Sequence, residues 1–457
     1  MMKDIDAMSE DELDAIAERD DTGGDPDLTA FNARFAVVKI GGKTRVMEME
    51  SSPIYKGCKV PIFSSIHDFC AFHAKQKKSI IVGDKEREVG VGKWWIDHPE
   101  RRQYDCIAYA PNEADHPNML NLWTGFACEA VENDCSLYLE HLHENICSGN
   151  REHSTYLLNW MTYAVQQPGK PGEVAVVLRG KEGVGKGVLV KWFGKLFGPH
   201  FRQIVQAKHL TGHFNSHLQQ CSVLYADESF FAGDRSHESV LKALITEETL
   251  MIEPKGVDPF FARNCIHLLM SSNNDWVVPA GADARRYFVL NVSDTRMQQS
   301  DYFAAISDQM EAGGLQGLLH LLMHRDLSGF NVRQVPQTDA LAEQKAYSRR
   351  GIDRLVEKIA HEGVVPCAEA TMPNTAITSG EEKGEGFYCA AKTLVPDLKY
   401  DSSTTIKTRL CKEWGCDDWK SGYRRGIKFP PLEELRARFD DRHGRQEWPE
   451  VEDWGGA

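Results

Sequence analysis

The 457-residue sequence contains no long apolar run. No stretch reaches the roughly 18 consecutive apolar residues that a membrane-spanning helix requires. The first residues, MMKDIDAMSEDELD, also lack the basic start and the apolar stretch of a secretory signal. The sequence therefore predicts a cytoplasmic protein with no membrane partner.

Disulfide and zinc signatures are also missing. The twelve cysteines are scattered along the chain, and no Cys-x-x-Cys pair occurs. The closest pair, Cys411 and Cys416, has no second pair that would complete a tetrahedral zinc site. Scattered thiols without a disulfide framework are typical of a reducing compartment.

Basic residues are scarce at both ends of the chain. Residues 1–30 contain eleven acidic and two basic residues, and residues 447–457 contain four acidic residues and no basic one. The net charge of −14 therefore comes almost entirely from the ends, and residues 31–446 carry a net charge of −1. Acidic ends of this kind predict solvated tails. The nearly neutral body does not exclude a polyanionic partner such as DNA.

Changes in composition divide the chain into segments. Short apolar runs alternate with charged turns at first, and apolar residues then recur at helical spacing. Strand-length apolar runs next alternate with helical patterns, which is typical of an α/β domain. A stretch rich in Pro, Thr, Gly and Glu precedes a smaller last domain. The predicted segments are an acidic disordered tail (1–30), a small mixed α/β region (31–125), a helical collar (126–170), the α/β domain (171–345), a linker (366–386), a small domain (387–446) and an acidic tail (447–457).

The most informative stretch is a glycine-rich segment that follows a predicted buried strand. Five apolar residues, 174–178, lead through Arg179 into Gly180-Lys181-Glu182-Gly183-Val184-Gly185-Lys186-Gly187, and an apolar helical face follows. Glycines allow backbone N–H groups to turn towards a phosphate, and a lysine at this spacing reaches the β- and γ-phosphates. The order of strand, loop and helix predicts a phosphate loop. Its predicted ATP-binding residues are Gly180, Gly183, Gly185, Lys186 and Gly187.

One position departs from the phosphate-loop pattern. Gly187 stands where a Ser or Thr hydroxyl normally binds Mg²⁺. Either Mg²⁺ relies on acidic residues further along the chain, or hydrolysis is slow. A second Gly-x-Gly-Lys, at residues 90–93, lacks the earlier glycine and a following helical pattern. We interpret that second segment as a loop.

Polar residues end the next two predicted apolar strands. Asp227 and Glu228 follow residues 223–226, and Asn273 follows residues 266–270, with Asn274 as the alternative. An acidic pair at this distance from a phosphate loop predicts that Asp227 holds Mg²⁺. Glu228 would then orient or deprotonate the attacking water. An amide at a strand end beside the γ-phosphate would position the same water.

Two adjacent arginines, Arg285 and Arg286, precede the apolar run 287–290. They are either solvated charges at the edge of a strand or include a finger that reaches a neighbouring subunit's site. Such a finger neutralises the charge of the transition state.

The order of these motifs resembles that of the superfamily 3 helicases, which belong to the AAA+ ATPases. The match is to the phage and plasmid primase-helicase group, which is related to poxvirus-type primase-helicases and to the helicase half of phage primase-polymerases. The resemblance covers about residues 120–345. It is carried by Gly180–Gly187, Asp227-Glu228, Ser272-Asn273, Asp283-Ala284-Arg285-Arg286, Phe214-Asn215, residues 244–249 with 253–256, and Trp160 with residues 166–168.

The resemblance implies an ATP- and Mg²⁺-dependent helicase of phage, prophage or plasmid DNA replication in the cytoplasm of a bacterial host. Members of the group form rings, usually hexamers, and move along single-stranded or forked DNA. By the resemblance, Lys186 binds ATP, Asn273 is the sensor, and Arg285 or Arg286 acts in trans. The helical collar would assemble the ring.

The resemblance also implies two contacts with DNA. The DNA-tracking hairpin of the group corresponds to Glu253–Arg263, with Lys255 at its turn and Arg263 at its end. The domain at 387–446 resembles the small winged-helix-like domains appended to such helicases. By this resemblance, the basic residues of the domain that would contact duplex DNA are Arg424, Arg425 and Lys428.

Two alternatives remain. One is a replication initiator or loading scaffold that binds nucleotide but hydrolyses it weakly, because Gly187 replaces the hydroxyl residue. The other is a helicase subunit that works with a separate primase or polymerase. Residues 31–120 contain no paired acid motif that could hold two catalytic metals. Priming is therefore expected to be absent or supplied by another protein.

Three histidines, His209, His213 and His217, have a spacing that would align them on one face of a helix. Such a face resembles a metal site. Thr211-Gly212 interrupts any helix there, so we interpret these histidines as ordinary side chains rather than zinc ligands.

Overall fold

The computed structural model describes residues 25–55, 57–82, 85–114, 116–206, 209, 212, 214–228, 236–255, 258–278, 280, 284–349, 351–372, 375–379, 386–421, 424–451 and 454. These residues form two units. The first contains those within Met1–Phe230, Ser239–Asn273 and Asn291–Pro336, and the second contains those within Phe231–Glu238, Asn274–Leu290 and Gln337–Ala457. No helix among the described residues is long and apolar enough to cross a membrane.

The N-terminal part of the first unit is built on a four-stranded mixed sheet. Its elements are α1 (Pro26–Arg34), β1 (Phe35–Ile40), β2 (Lys43–Ser51), β3 (Lys59–Ser64), α2 (Ile66–Phe72), β4 (Lys77–Val82), β5 (Lys85–Gly90), α3 (Val91–Asp97), β6 (Gln103–Tyr104), β7 (Cys106–Ala108) and β8 (Met119–Asn121). The sheet order is β3-β2-β1-β6. Strand β1 is apolar throughout its first four residues because both of its faces are covered. Phe35 and Val37 pack with Phe69 and Trp95, whereas the alternate residues join a second apolar cluster.

Two local predictions for this part were wrong. Residues 26–30, predicted as part of the acidic tail, begin α1, whose N-terminus is capped by Asp25. Acidic side chains stabilise the positive end of a helix, so the same charges that suggest a tail also start a helix. Of residues 90–93, predicted as a loop, Gly90 ends β5 and Val91–Lys93 begin α3. A Cβ at Gly92 would lie 3.0 Å from the Cβ of His73, so this glycine allows the close approach of two short helices.

The core of the first unit is a parallel sheet. The elements from residue 136 to residue 324 are α4 (Ser136–Glu140), the π-helical segment His141–Ile146, α5 (Arg151–Gln166), β9 (Ala175–Arg179), α6 (Lys186–Phe197), β10 (Phe201–Ile204), β11 (Val223–Asp227), α7 (Ser236–Thr246), β12 (Thr249–Ile252), β13 (Phe260–Arg263), β14 (His267–Ser272), β15 (Tyr287–Asn291), α8 (Ser300–Gln309) and α9 (Leu315–His324). Of these, residues 236–238 of α7 and 287–290 of β15 are assigned to the second unit. Strands β10, β11, β14 and β9 are parallel and adjacent in that order. Their continuous apolar runs reflect burial on both faces. This sheet confirms the predicted α/β class.

The register of three strands aligns their carboxyl ends. Asp227 at the end of β11 lies opposite Ser271 of β14, and Ser271 lies opposite Leu178 of β9. Ligand sites of parallel sheets form beyond the carboxyl ends of the strands. The residues that follow these three strands therefore meet at one edge of the sheet.

The helices predicted as a collar pack on this core. The Trp160 indole N–H donates to the carbonyl oxygen of Val174 at 2.9 Å, and the Tyr138 hydroxyl donates to that of Leu189 at 2.9 Å. Both bonds satisfy polar groups of large buried aromatic side chains. The π-helical segment lies between the two helices that provide these side chains. The oligomerisation role predicted for residues 126–170 stays a prediction.

The second unit contains a small helical and antiparallel domain. Its elements after residue 337 are α10 (Asp339–Ser348), α11 (Gly351–Glu362), β16 (Ala368–Met372), β17 (Thr375–Ser379), α12 (Phe387–Leu394), α13 (Ser403–Trp414), β18 (Asp417–Ser421), β19 (Arg424–Phe429) and α14 (Leu432–His443). The strand order is β16-β17-β19-β18, and each neighbouring pair is antiparallel. One apolar cluster joins the helices, with Phe387, Trp414 and Phe439 fully buried.

The predicted linker and the predicted C-terminal tail both contain ordered elements. Within 366–386, strand β17 pairs with β19, so the turn-rich composition marked a hairpin rather than a linker. Within 447–457, Trp454 is buried and its indole N–H donates to the carbonyl oxygen of Pro430 at 3.0 Å. The prediction of a tail rested on the net charge of this segment, which gives no information about the apolar side chains between its acidic residues. Those apolar side chains pack on the domain.

Three buried histidines are expected to make the first unit sensitive to acid. Burial lowers the pKa of His141, His200 and His267 from 6.5 to about 4. In the unfolded chain each would bind a proton near pH 6.5, so native stability is full above that pH and is lost as the pH falls towards 4. The loss is about 2 kcal/mol per histidine at pH 5. Thermal unfolding measured between pH 8 and pH 4 should show a steep fall below pH 6.

A histidine substitution checks the cause of this pH dependence. His267→Phe should reduce the stability change between pH 7 and pH 5 by about 2 kcal/mol. His67→Phe should not alter it, because the His67 side chain is 91% exposed. An unchanged slope in His267→Phe would contradict the assignment.

Candidate nucleotide-binding site

The phosphate-loop sequence forms a tight turn between β9 and α6. Lys186 begins the helix, and glycine is required at two positions before it. Gly183 has φ +78° and Gly185 has φ +95°, values that glycine adopts without strain. A Cβ at Gly185 would also lie 2.6 Å from the His141 ring and 2.6 Å from the Phe303 ring. Both the backbone and the packing therefore exclude any other residue at position 185.

The Lys186 ammonium group lies inside the loop. The residue is 8% exposed, and Nζ donates to the carbonyl oxygens of Gly180 and Lys181, the latter at 2.9 Å. Nζ also donates to Oδ1 of Asn273 at 2.7 Å. Burial lowers the pKa of Lys186, and nearby carboxylates, of which Glu228 contributes most, oppose that effect. The lysine is thus a buried cation held by neutral oxygens.

Asn273 joins Lys186 to Glu228. While its Oδ1 accepts from the lysine, its Nδ2 donates to Oε1 of Glu228. Asn273 follows β14 and Glu228 follows β11, two neighbouring strands with aligned ends. The structure therefore brings together three residues that the sequence predicted from separate motifs. Of the two candidate amides, Asn273 makes these contacts.

The backbone of Glu228 is strained. Its φ is +48°, in the left-handed region that non-glycine residues rarely adopt. Such a conformation costs about 1–3 kcal/mol and persists where the surroundings determine it. Here the Glu228 N–H donates to the carbonyl oxygen of Ser271 at 3.0 Å. The turn directs the carboxylate towards Asn273.

Three side chains fix the Asp227 carboxylate. Its Oδ1 accepts from the hydroxyls of Tyr225 at 2.8 Å and Ser271 at 2.6 Å, and its Oδ2 accepts from Nε2 of Gln203 at 3.2 Å. Burial raises the pKa of Tyr225, so its hydroxyl remains a donor. Sequence reasoning missed these three residues, because a hydroxyl or an amide within an apolar strand carries no local signal of its partner.

The donor set suits Mg²⁺. Asp227 and Glu228 offer carboxylate oxygens, the ligands that Mg²⁺ prefers. Among the described residues, no group of three or more His, Cys, Asp or Glu side chains is placed to hold a metal by itself. Mg²⁺ is commonly bound by one or two carboxylates together with water and substrate phosphates, so a smaller protein contribution suffices. Asp227, with its fixed carboxylate, is the candidate ligand.

Gly187 has room for a larger side chain. It lies in the first turn of α6, and a Cβ added there meets no atom within 4 Å. We expect Gly187→Ser to add the missing hydroxyl and to lower the Mg²⁺ concentration for half-maximal ATP hydrolysis by about fivefold, the effect of one further polar interaction of about 1 kcal/mol. Mg²⁺ titrations of the ATPase rate measure this effect. Gly187→Ala is the control, and equal behaviour of the two variants would contradict a metal role.

The π-helical segment contributes two side chains that sequence reasoning also missed. His141 Nε2 lies 3.1 Å from the carbonyl oxygen of Gly185, and Asn145 Nδ2 donates to that of Val184 at 2.6 Å. The partners are 44 and 39 positions apart in the chain. No pattern in the sequence marks such a contact.

The segment predicted as a DNA-tracking hairpin, Glu253–Arg263, follows β12 and ends with β13, and its role stays a prediction. The strands pair antiparallel, and Lys255 is exposed in their connection. Asn215 anchors the hairpin, because its Nδ2 donates to the carbonyl oxygen of Met251 at 2.8 Å and its Oδ1 accepts from the Glu253 N–H at 2.8 Å. Lys255 therefore follows a backbone segment that two hydrogen bonds to Asn215 hold in place.

Arg263, the other basic residue predicted in this hairpin, has an internal partner. Its guanidinium forms an ion pair with Glu113, which raises the pKa of Arg263. Its charge is already balanced within the protein. This pairing favours Lys255 as the basic group that the hairpin offers to a ligand.

The remaining predicted basic residues lie in the second unit. On β19, Arg425 is exposed and Lys428 is half-buried, and the side chain of Arg424 lies outside the described residues. Arg425 is directly opposite the exposed Lys420 of β18. Like charges directly opposite each other destabilise a sheet. A hydrogen bond from Lys407 and the nearby charges of both side chains lower the pKa of the exposed Asp418 of β18. Asp418 therefore partly balances the positive charge of the hairpin.

The structure describes both arginines of the predicted pair and two of the three histidines. Arg285 is exposed and Arg286 is half-buried, immediately before β15. The rings of His209 and His217 are 6.5 Å apart, and His213 lies outside the described residues. The structure supplies no evidence for zinc in its described part.

The fold and the site define a mixed α/β protein with a parallel sheet. A glycine-rich loop follows one strand of this sheet, and ammonium, amide and carboxylate groups meet at the ends of three strands. Comparison with known proteins adds relatives of the same architecture.

Residues 178–286 match a family described as a family of unknown function (DUF5906), a range that runs from the end of β9 to Arg286. The chain is 24% identical over 272 residues to the DNA primase-polymerase of Nitratiruptor phage NrS-1, and the match covers 55% of this chain and 37% of that protein. The chain thus spans little more than a third of the length of this relative.

Solved structures of the NrS-1 C-terminal region share the fold. One apo structure has a TM-score of 0.58 at 16% identity, covering 88% of this chain and 98% of that chain. Another has a TM-score of 0.57 at 16% identity, covering 74% and 79%. The chain is therefore similar to a phage primase-polymerase and has the fold of its C-terminal region.

Proposed function

We propose that the chain is an ATP hydrolase that acts as a ring-shaped DNA helicase in phage, prophage or plasmid replication, with an AAA+ core of the superfamily 3 type. The observation that carries the proposal is the series of contacts from Lys186 through Asn273 to Glu228. It places a cation, an amide and a carboxylate beside a glycine-rich loop, as phosphoryl transfer to water requires. The similarity to a phage primase-polymerase supports the role in replication.

Each group of the site has a distinct role in this proposal. Lys186 exchanges the loop carbonyls for the β- and γ-phosphates of ATP. Asn273 orients the attacking water, and Glu228 accepts its proton. Asp227 holds Mg²⁺, which supplies charge neutralisation at the phosphate oxygens. The hydroxyls that fix Asp227 keep this ligand in place without reorganisation during the reaction.

The proposed contact with single-stranded DNA is Lys255 on its anchored hairpin. In a hexamer, one lysine per subunit would give a ring of contacts with successive phosphates. The Arg425 and Lys420 pair would bind the duplex part of forked DNA. Both proposals require only local positive charge, and they are compatible with the net charge of −14.

A second candidate function is a replication initiator or loader that binds nucleotide and hydrolyses it weakly. The observation in its favour is Gly187, which leaves α6 without a hydroxyl ligand for Mg²⁺. A related variant is a helicase subunit that depends on a separate primase or polymerase. DNA-stimulated ATP turnover separates the motor from the scaffold.

We expect single-stranded DNA to stimulate ATP hydrolysis and Lys186→Ala to abolish the stimulated activity. The substitution removes the charged donor, which should weaken ATP binding by about 10–100-fold, the worth of one charge-assisted hydrogen bond. Binding is measured by calorimetry and turnover by phosphate release, both with and without DNA.

Lys191→Ala is the matched control for this experiment. Lys191 lies on the same helix, but its side chain is exposed and its Nζ lies over the Trp192 ring. It should bind and hydrolyse ATP normally. Absence of DNA stimulation would exclude the motor, and unchanged ATP affinity in Lys186→Ala would exclude the phosphate-binding role.

A further inference from the structure

The geometry points to His141 and Asn145 as positioning residues of the phosphate loop. We infer that they orient two loop peptides so that the N–H groups face the phosphates of the nucleotide. This inference rests on the proposed ATP-binding function, which it deepens. Neither residue belongs to the glycine-rich motif, and both come from the π-helical segment His141–Ile146.

Each side chain binds one carbonyl of the loop. Asn145 Nδ2 donates to the Val184 carbonyl oxygen at 2.6 Å, and His141 Nε2 lies 3.1 Å from that of Gly185. A carbonyl can only accept, so the His141 ring carries its proton on Nε2. Both residues are buried, His141 at 0% and Asn145 at 1% exposure, so water does not compete for these bonds.

Peptide planarity converts these bonds into a direction for the N–H groups. In a trans peptide the C=O of one residue and the N–H of the next point in opposite directions. When the carbonyls of Val184 and Gly185 are held towards the π-helical segment, the N–H groups of Gly185 and Lys186 point away from it. Consecutive N–H groups with a common direction form an anion-binding concavity.

Neighbouring groups fix the His141 ring and the backbone of Asn145. Tyr302 has its hydroxyl 3.2 Å from Nδ1 of His141, which is the acceptor in this tautomer. Burial lowers the pKa of His141 to about 4, so the ring stays neutral at physiological pH. The main-chain carbonyl oxygen of Asn145 accepts from the Ser293 N–H at 2.9 Å, which fixes the backbone that carries this side chain. The His141 ring occupies the space that a side chain at position 185 would need.

The test compares the affinities of purified full-length variants for ATP and AMP. Calorimetry gives the ratio of the two dissociation constants, and thermal unfolding reports on the fold. His141→Leu and Asn145→Leu should each weaken ATP binding by about tenfold and leave AMP binding within about twofold, since one buried hydrogen bond to the loop is lost. His141→Gln, which retains an N–H donor, should restore most of the ATP affinity.

His143 provides the matched control on the same segment. Its Nδ1 lies 2.9 Å from the Ser154 hydroxyl and it makes no bond to the loop. His143→Leu should keep the wild-type ratio of ATP to AMP affinity. If folded His141→Leu or Asn145→Leu protein loses ATP and AMP affinity equally, the positioning role is wrong.

Lys186→Ala separates failure of this inference from failure of the proposed function. If Lys186→Ala loses ATP affinity and the two leucine variants retain the wild-type ratio, the positioning role is wrong and the ATP site stands. If Lys186→Ala also retains the ratio, the proposed ATP site itself is wrong. Should His141→Leu not fold, Asn145→Leu and His141→Gln decide the same question.

Discussion

Replacing Glu228 by Gln is expected to slow ATP hydrolysis by about 10²–10⁴-fold, the usual contribution of a general base. The amide has the same shape as the carboxylate but cannot accept the proton of the attacking water. ATP binding should not weaken, because Lys186 keeps its hydrogen bonds to the loop and to Asn273 and only the nearby negative charge of Glu228 is lost. Single-turnover phosphate release measures the rate, and calorimetry measures the affinity.

The geometry makes Glu228→Gln a clean substitution. The variant side chain can still accept the Nδ2–H of Asn273 through its carbonyl oxygen, and the backbone at φ +48° is unaffected. Glu247→Gln is a suitable control, because Glu247 is an exposed glutamate at the end of α7. Full turnover in Glu228→Gln would mean that another group takes the proton.

Replacing Arg286 by Ala is expected to reduce ATP turnover by about 10³–10⁵-fold if this arginine acts as a finger on a neighbouring subunit. A guanidinium that reaches the transferred phosphate stabilises charge that develops only in the transition state. ATP affinity should therefore fall far less than turnover. The same measurements on Arg285→Ala decide which of the two arginines has the role.

Mixed assemblies test whether the arginine acts in trans. Lys186→Ala subunits lack the site but retain Arg286, and Arg286→Ala subunits retain the site but lack the finger. Mixing the two inactive variants should restore part of the activity in the presence of ATP and DNA. No recovery, or a monomer by light scattering under the same conditions, would contradict the proposed ring.

The local motifs of the site could be predicted because their chemistry lies within a few residues. Gly183 and Gly185 have positive φ values that favour glycine, and the spacing of the glycines before Lys186 indicates such a loop. The apolar runs before Asp227 and Asn273 likewise indicate buried strands with polar ends. The contact between Asn273 and Glu228 was not predicted, and it follows from the aligned ends of two neighbouring parallel strands.

Other features required the tertiary structure. Tyr225, Ser271 and Gln203 surround Asp227 only because three strands are in register. The balanced charge of Arg263 depends on Glu113, which is 150 positions away. The linker prediction failed because strand β17 pairs with β19 across a long separation in sequence. Strand pairing between distant segments leaves no sign in local composition.

The sequence by itself determined the α/β class, the glycine-rich loop between a strand and a helix, and the two polar strand ends, because glycine conformation, apolar periodicity and residue spacing are local properties. Only the tertiary structure decided which groups touch. It placed the Lys186 ammonium on Asn273, brought His141 and Asn145 to the loop carbonyls, and packed Trp454 into a domain that charge alone predicted to end earlier. Burial and hydrogen bonding between distant residues are settled by the packed core, where each buried polar group needs a partner.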